Sequence, residues 1–383
     1  MGSKVKRIAL LGSTGSIGRQ TLDVVRAFPE HLKVVGLGAG GNKELLYQQA
    51  QEFQPQWLSL QSSEKFNQAG CTWVSMEDMA CFPQVDLVVV ATDGKAGLIP
   101  TLAAIRAGKT VALANKEVLV TAGELVMAEA QKHNVKILPM DSEHSAIWQC
   151  LQGEEAKVAR VILTASGGPF RAYSAEQLSG VTAAEALKHP VWQMGQKVTI
   201  DAATLMNKGM EVIEAHWLFN LSWDKIQIVL HPQSMIHSMV EFEDGSTKAQ
   251  LAPPDMRLPI LYALSHPQRW NNPYLPRMNW DKPVAFTFEP PNLQLWPCLR
   301  LALEAGKTGG TYPAVLSAAD EVAVELFLSG HIGFTDIPKI IELTLRKYSG
   351  QVKDKPLTSL EDILQADAFG RVQARELASA RIN

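Results

Sequence analysis

The order of apolar and polar positions changes character twice along the chain. Up to about residue 140, runs rich in Val, Ile and Leu (Val5 to Leu11, Leu32 to Leu37, Val85 to Ala91, Thr110 to Ala114 and Val135 to Met140) alternate with stretches of helical period such as Thr101 to Ala107. This alternation predicts an α/β domain, a parallel sheet covered by helices. Beyond Met140 the spacing predicts a strand over Val158 to Ala165, a helix from about Leu205 to Phe219, and a β-rich stretch from Lys225 to Leu251 with a turn at Asp244-Gly245. That mixture is α+β. From Pro253 to Pro297 prolines and tryptophans crowd into a loop-rich connection, after which Leu299 to Ala305, Pro313 to Leu328 and Ile337 to Leu345 read as helices. The expected division is therefore 1–140, 141–265, a linker over 266–291, and a helical domain over 292–383. No internal repeat interrupts it.

A chain of 383 residues exceeds the roughly 150 of a typical domain, which agrees with several domains. The charge, 36 basic against 39 acidic side chains or −3, is spread without blocks, so no basic field exists to attract nucleic acid. Hydrophobic residues at 46% and charged residues at 20% exclude extensive disorder. Cys71, Cys81, Cys150 and Cys298 form no CxxC pair, which speaks against structural zinc or a disulfide framework and for a reducing compartment. The apolar run of the N-terminus stops after Leu11, too short for a secretory signal. Lys6 stands where myristoylation needs Ser or Thr, so Gly2 and Ser3 read as a remnant ahead of the first strand. No run reaches the roughly 18 apolar residues of a membrane span, and a cytoplasmic protein is expected.

In IALLGSTGSIGRQTLDVV, Gly12, Gly15 and Gly18 fall between a strand and a helix, where glycines let backbone approach a pyrophosphate. Twenty residues after Gly18 the chain reads Gly38-Ala39-Gly40-Gly41-Asn42-Lys43, with no carboxylate to repel a 2′-phosphate, so NADPH is expected over NADH. Asp141-Ser142-Glu143-His144 follows a strand, as a ligand site in an open α/β sheet does; helix capping explains the same residues. In DAATLMNKGMEVIEAHWLF, Thr204, Asn207, Lys208 and Glu211 share one helical face, equally compatible with a solvated stripe. Taken together, Asp141, Glu143 and Glu211 would give an all-oxygen site suited to magnesium or manganese. TASGGPF, with Ser166 and two glycine amides, and Asn207 with Lys208 suit an anion such as phosphate. Lys188 to Gly195, with Trp192, reads either as a lid or as a packed surface loop. His231, His237 and the Asn115-Lys116-Glu117 segment have equally good structural readings.

GSTGSIG, LANKE, DSEHSAI, TASGGPF, KHPVWQMGQK, MNKGMEVIEAHWLF, HPQSMIHSMV and PPDMRLPI occur in this order. With them the chain closely resembles the 1-deoxy-D-xylulose 5-phosphate reductoisomerase family from about residue 5 to about residue 380. The resemblance implies an N-terminal Rossmann-like NADPH domain, a central α+β catalytic domain with a flap, and a C-terminal helical domain. It implies a homodimer using NADPH and one divalent metal (Mn, Mg or Co). Its reaction isomerises 1-deoxy-D-xylulose 5-phosphate and reduces the aldehyde to 2-C-methyl-D-erythritol 4-phosphate, on the non-mevalonate route to isoprenoids, and fosmidomycin inhibits it. Neither nucleic acid nor membrane is an expected partner. By the same resemblance Asp141, Glu143 and Glu211 hold the metal, with Lys116, Glu143 and Glu211 in the chemistry. Substrate meets Lys116, Ser142, Glu143, Ser166, His189, Trp192, Asn207, Lys208 and Glu211. Cofactor meets Thr14, Gly15, Ser16, Ile17, Gly40, Gly41, Asn42, Asn115, Glu117 and Gly195. Ser234 and His237 are near-site candidates.

Two departures stand out. The family's DSAT reads Asp201-Ala202-Ala203-Thr204 here, which removes a serine hydroxyl from the phosphate, and Gly41 stands where many relatives carry a basic residue. Two rival readings make their own demands. A semialdehyde dehydrogenase needs a cysteine nucleophile, for which Cys150 is the candidate, and an NADPH-sensing regulator would leave Asp141, Glu143 and Glu211 without work.

Overall fold

The computed structural model describes residues 5–62, 66, 70–349 and 359–382; Gly2 and Ser3 lie outside them. The chain runs β1 (Lys6–Leu11), α1 (Ser16–Ala27), β2 (Leu32–Ala39), α2 (Lys43–Phe53), β3 (Trp57–Leu60), β4 (Thr72–Trp73), α3 (Met76–Cys81), β5 (Leu87–Val90), α4 (Leu98–Arg106), β6 (Thr110–Leu113), α5 (Glu117–Lys132), β7 (Ile137–Pro139) and α6 (Ser142–Cys150). It continues through β8 (Val158–Ala165), α7 (Ala175–Ser179), α8 (Ala183–Ala186), α9 (Gln196–Thr204), α10 (Met206–Phe219), β9 (Ile226–Leu230), β10 (Ile236–Phe242), β11 (Thr247–Leu251) and α11 (Arg257–Ser265). It ends with α12 (Pro297–Thr308), α13 (Tyr312–Leu328), α14 (Asp336–Ser349) and α15 (Leu360–Ile382). Two compact units result: Met1–Val118, Val126–Trp148 and Asp255–Arg277 form one; Leu119–Leu125, Gln149–Pro254 and Met278–Asn383 form the other.

The first unit holds a seven-stranded sheet in the order β4-β3-β2-β1-β5-β6-β7, every pairing parallel. Its central strands are apolar beyond their first residues because both faces are covered there; Ile8, Leu10, Leu37, Val89 and Ala112 are fully buried. The order reverses between β1 and β5, and such a switch point leaves a crevice beyond the strands' C-terminal ends. Leu22 and Val25 of α1 and Ile260, Leu261 and Leu264 of α11 belong to the same core. Helix α11 lies inside the stretch expected to be a loop-rich connection. Its Pro259 is the third helical residue, where the missing N–H has no intrahelical acceptor to lose, so this proline permits a helix.

The second unit combines a four-stranded sheet, β11-β10-β8-β9, with the helices α12 to α15. Strand β8 coincides with the expected Val158 to Ala165, and β10 turns into β11 around Asp244-Gly245, where Gly245 has φ +87°. Helix α13 is apolar almost all round and correspondingly buried. One expectation fails: Thr204 does not share a helix with Asn207, Lys208 and Glu211. Leu205 takes a left-handed conformation (φ 59°, ψ 12°), ending α9 at Thr204 and starting α10 at Met206. Propensity does not betray such a break, because leucine is a strong helix former.

Candidate active site

At the dinucleotide end, the turn after β1 depends on two glycines. Gly12 has φ +90°, and a Cβ there would lie 2.2 Å from the Ala91 carbonyl oxygen; a Cβ on Gly18 would lie 2.1 Å from that of Gly12. The amides of Gly12 and Ser13 both donate to the Gly38 carbonyl at 2.8 Å, tying the turn to the end of β2. The Gly15 amide closes the turn by donating to the Gly12 carbonyl at 3.2 Å, and α1 then begins at Ser16 without a side-chain cap, so the Ser16-Ile17 end of the helix keeps the orphan amides an anion site uses. Gly40 and Gly41 are exposed, with nothing within 4 Å of a Cβ on Gly41, and Asn42 caps α2 by accepting from Leu45 at 3.1 Å. A second helix N-terminus thus stands where a 2′-phosphate is expected, although no basic residue occupies position 41. Asn115 is committed to the scaffold: its Nδ2 donates to the carbonyls of Thr92 and Gly94 at 2.8 Å, and its Oδ1 accepts from Val118 at 3.2 Å. Glu117 opens α5 and is buried.

The same unit gathers the first acidic group. Lys116, only 8% exposed, is no ordinary surface lysine: its Nζ lies 2.8 Å from Asp141 Oδ2. Ser142 opens α6 and donates to Glu143 Oε2, while the fully buried His144 Nδ1 lies 3.9 Å from Asp141 Oδ2. Sequence reasoning passed over His144, although its i, i+3 spacing from Asp141 signals the contact.

The second unit gathers the phosphate-type residues. Gly167 and Gly168 both have positive φ (83° and 67°), and the sharp turn directs the Gly168 amide to Ser166 Oγ at 3.3 Å. His189 Nδ1 accepts from the amides of Val191 and Trp192 at 3.2 and 2.8 Å, which assigns its proton to Nε2, 2.9 Å from Ser166 Oγ. Ser166 Oγ therefore meets two donors, which leaves its own hydroxyl proton for an acceptor such as an anion. Burial pushes His189 down to about 4, so it stays neutral near pH 7. On α10, Asn207 Nδ2 donates to Glu211 Oε1 at 2.5 Å and Lys208 Nζ pairs with Oε2; Lys208 is 3% exposed and Glu211 1%. A buried face so densely paired is not a solvated stripe. His237, pushed down to about 4 chiefly by burial, donates from Nε2 to the Ala252 carbonyl at 3.1 Å, feels the charge of Lys208, and meets the Trp192 ring at 6.0 Å. Residues 188–195 form neither helix nor strand, and Gly195 caps α9 with open space around it.

Other candidates have structural work. His231 accepts from the amides of Met235 and Ile236 and stacks on Phe288 (4.8 Å, 18°), while Ser234 occupies a left-handed turn (φ 50°). Cys150 is buried, and that burial pushes its thiol up to about 11, which removes the nucleophile a semialdehyde dehydrogenase requires. Sequence reasoning also missed Gln49, buried on α2, whose Nε2 braces the glycine turn through the Ser13 carbonyl at 2.9 Å. A glutamine between the buried Leu46 and Ala50 was its only signal.

A switch-point glycine turn on a parallel sheet, together with a separate unit offering a phosphate-type turn and buried acid–lysine pairs, defines a dinucleotide-fold oxidoreductase with a substrate unit of its own. Three family models match the chain: 1-deoxy-D-xylulose 5-phosphate reductoisomerase over residues 8–123, its C-terminal domain over 137–219, and the DXP reductoisomerase C-terminal domain over 251–373. Similar curated relatives are the 1-deoxy-D-xylulose 5-phosphate reductoisomerases of Heliobacterium modesticaldum (51% identical, 97% of each chain) and Desulforamulus reducens (51%, 97% of this chain and 99% of the relative). Among solved structures, the reductoisomerase of Zymomonas mobilis in complex with NADPH superposes with TM-score 0.89 at 40% identity, covering 98% of this chain and 99% of that one. A reductoisomerase in complex with NADPH, fosmidomycin and magnesium gives 0.91 at 38%, covering 99% and 98%. The chain belongs to the 1-deoxy-D-xylulose 5-phosphate reductoisomerase family.

Proposed function

We propose that this chain performs the family's reaction with the residues described: it isomerises 1-deoxy-D-xylulose 5-phosphate and reduces the product to 2-C-methyl-D-erythritol 4-phosphate, using NADPH and one divalent cation. The observation that carries the residue assignment is the α10 group, in which a carboxylate and an ammonium are almost fully buried in the same unit as the Ser166 turn. The donors fit the groups they would hold. Asp141, Glu143 and Glu211 offer only hard carboxylate oxygens, as magnesium prefers, with manganese or cobalt as alternatives. The glycine turn offers backbone amides to a pyrophosphate, and Gly40, Gly41 and Asn42 leave room for a 2′-phosphate. When bound, the cation supplies Lewis-acid stabilisation of oxyanion charge and NADPH supplies hydride.

The protein's own residues bind and orient. Ser166 donates its hydroxyl proton to the substrate phosphate, with Asn207 and Lys208 adding an amide and a charge, and this remote binding energy draws the loop 188–195 over the sugar. His189, neutral, holds Ser166 in its donating orientation, and Trp192 excludes water. Lys116 and Ser142 contact the reacting end. We assign cofactor binding to 1–140, catalysis to 141–265 and the helical domain to 292–383, with 266–291 as linker. A second copy of the chain is the proposed partner, for which the exposed Trp280, Val284, Phe288 and Leu293 offer apolar surface, and the cytoplasm is the proposed compartment. No described helix is long and apolar enough to cross a membrane.

The test follows NADPH absorbance after addition of 1-deoxy-D-xylulose 5-phosphate, with magnesium present and then chelated. Substrate- and metal-dependent oxidation is expected, and Glu211→Gln lowers turnover by about a hundredfold. Substrate-independent or chelator-insensitive oxidation would overturn the reading.

A further inference from the structure

Helix α13 carries three carboxylates, of which Glu321 and Glu325 pair with arginines of α15 while Asp320 lies in the buried middle of the helix. Asp320 is 0% exposed, and its Oδ2 lies 2.9 Å from Lys197 Nζ. The same ammonium lies 2.6 Å from Asp201 Oδ2 and 4.0 Å from Met210 Sδ. One cation thus joins three helices: α9 through Asp201, α10 through Met210, and α13 through Asp320. The fully buried Cys298 of α12 adjoins the group, its thiol pushed well up by burial and then by Asp320, with Thr204 as its hydrogen-bond partner. The two carboxylates are buried while the Lys197 side chain stays 26% exposed, and such an ion cluster contributes little to stability that apolar side chains of equal volume would not supply. Its placement supplies a reason to keep it. Lys197 stands two residues after Gly195, where the loop 188–195 enters α9. Met210 immediately precedes Glu211, and the left-handed Leu205 lies between them.

We propose that Asp320 is a positioning residue: through Lys197 it fixes the C-terminal hinge of the 188–195 loop and the α10 face bearing Asn207, Lys208 and Glu211, which gives the helical C-terminal domain a part in substrate binding. This deepens the function proposed above and rests on it for the kinetic readout alone. Asp320 touches no reacting atom. It holds α9 and α10 in one register, so that the loop pivots about a fixed post and closes onto residues already in place. A misplacement of about 1 Å in such residues acts on the scale of roughly tenfold to a hundredfold.

The test compares Asp320→Asn with the unaltered chain in three measurements. The KM for 1-deoxy-D-xylulose 5-phosphate and the Kd of fosmidomycin are expected to rise together by about tenfold or more, whereas the Kd of NADPH stays within about twofold. Hydrogen exchange is expected to quicken at the amides of His189, of residues 191–195 and of residues 206–208 and to stay unchanged in β8 and β10. Unchanged KM and Kd with unchanged exchange would overturn the proposal. So would a uniform acceleration that includes the sheet, since it would make the cluster a plain core element. Should Asp320→Asn fail to fold, the combined variant Lys197→Met, Asp201→Asn, Asp320→Asn removes every charge at nearly constant volume and is read in the same way. The exchange measurement does not need turnover: an unaltered chain that oxidises no NADPH counts against the function, while exchange alone decides the clamp.

Discussion

Replacing Lys208 by methionine tests the α10 group most directly. Glu211, 1% exposed, shares its two oxygens between the Lys208 ammonium and the Asn207 amide, and Lys208 is itself 3% exposed. Methionine keeps most of the volume and removes the charge, stranding the carboxylate without its ammonium. Breaking a buried pair from one side costs about 3–5 kcal/mol, whereas neutralising both partners costs far less. Lys208→Met is therefore expected to melt well below the parent in the presence of chelator, at roughly 2–4 °C per kcal/mol, and Lys208→Met with Glu211→Gln to recover most of the loss. Magnesium separates the explanations. If Glu211 is a metal ligand, the cation becomes its countercharge, and at about a hundred times its Kd it returns about 2.7 kcal/mol to Lys208→Met. The double variant, lacking the carboxylate, gains less. Thermal melting in chelator and in magnesium reads both effects. A melting point for Lys208→Met within roughly 2–4 °C of the parent, about 1 kcal/mol, would refute the buried pair, and equal magnesium gains in the single and double variants would refute the metal role of Glu211.

Ala202 is buried, and a Cβ on Gly168 would lie 2.7 Å from its carbonyl oxygen, so α9 packs here against the Ser166 turn. Ala202→Ser, adding a hydrogen bond to a charged group of about 1.5–3 kcal/mol, should lower the KM for the phosphorylated sugar by about tenfold or more; an unchanged or higher KM would dismiss this account. Gly18→Ala is expected to weaken NADPH binding by more than about tenfold, because its Cβ would lie 2.1 Å from the Gly12 carbonyl oxygen and overpacking there costs about 1–3 kcal/mol; titration of NADPH fluorescence checks it. Burial holds His237 at about 4 in the fold against an ordinary 6.5, so the unfolded chain takes up the proton first. Stability is then whole above pH 6.5 and falls by up to about 3 kcal/mol as pH drops towards 4. In urea unfolding at pH 7 and 4.5, His237→Gln should show a smaller pH difference than the parent, and an equal difference would show that this histidine does not set the acid limb.

What the sequence reveals about this molecule follows from how each feature is encoded. The parallel sheet is legible because both of its faces are buried, so β1, β5 and β6 read as plain apolar runs, and the glycine turn is legible because only glycine tolerates the contacts at positions 12 and 18. Helix α11 is obscured by counting Pro259 as a breaker without regard to its place in the first turn. The break at Leu205 has no local signature, because a left-handed backbone is uncommon for any residue with a Cβ and leucine is otherwise a strong helix former. The site divides in the same way. Asp141, Glu143 and Glu211 attract notice by residue type, whereas Gln49 and Asp320 each have a polar neighbour in sequence and His144 lies within a polar run, so only the fold shows all three to be buried. Their burial is informative because a buried polar side chain is costly unless it is paired. Each of these residues indeed lies against a partner: Gln49 at the Ser13 carbonyl, His144 near Asp141 and Asp320 at Lys197. In each case that partner belongs to, adjoins or leads into a segment assigned to substrate, metal or cofactor, so buried polar side chains on helices trace the support behind the site as clearly as its exposed motifs trace the site itself.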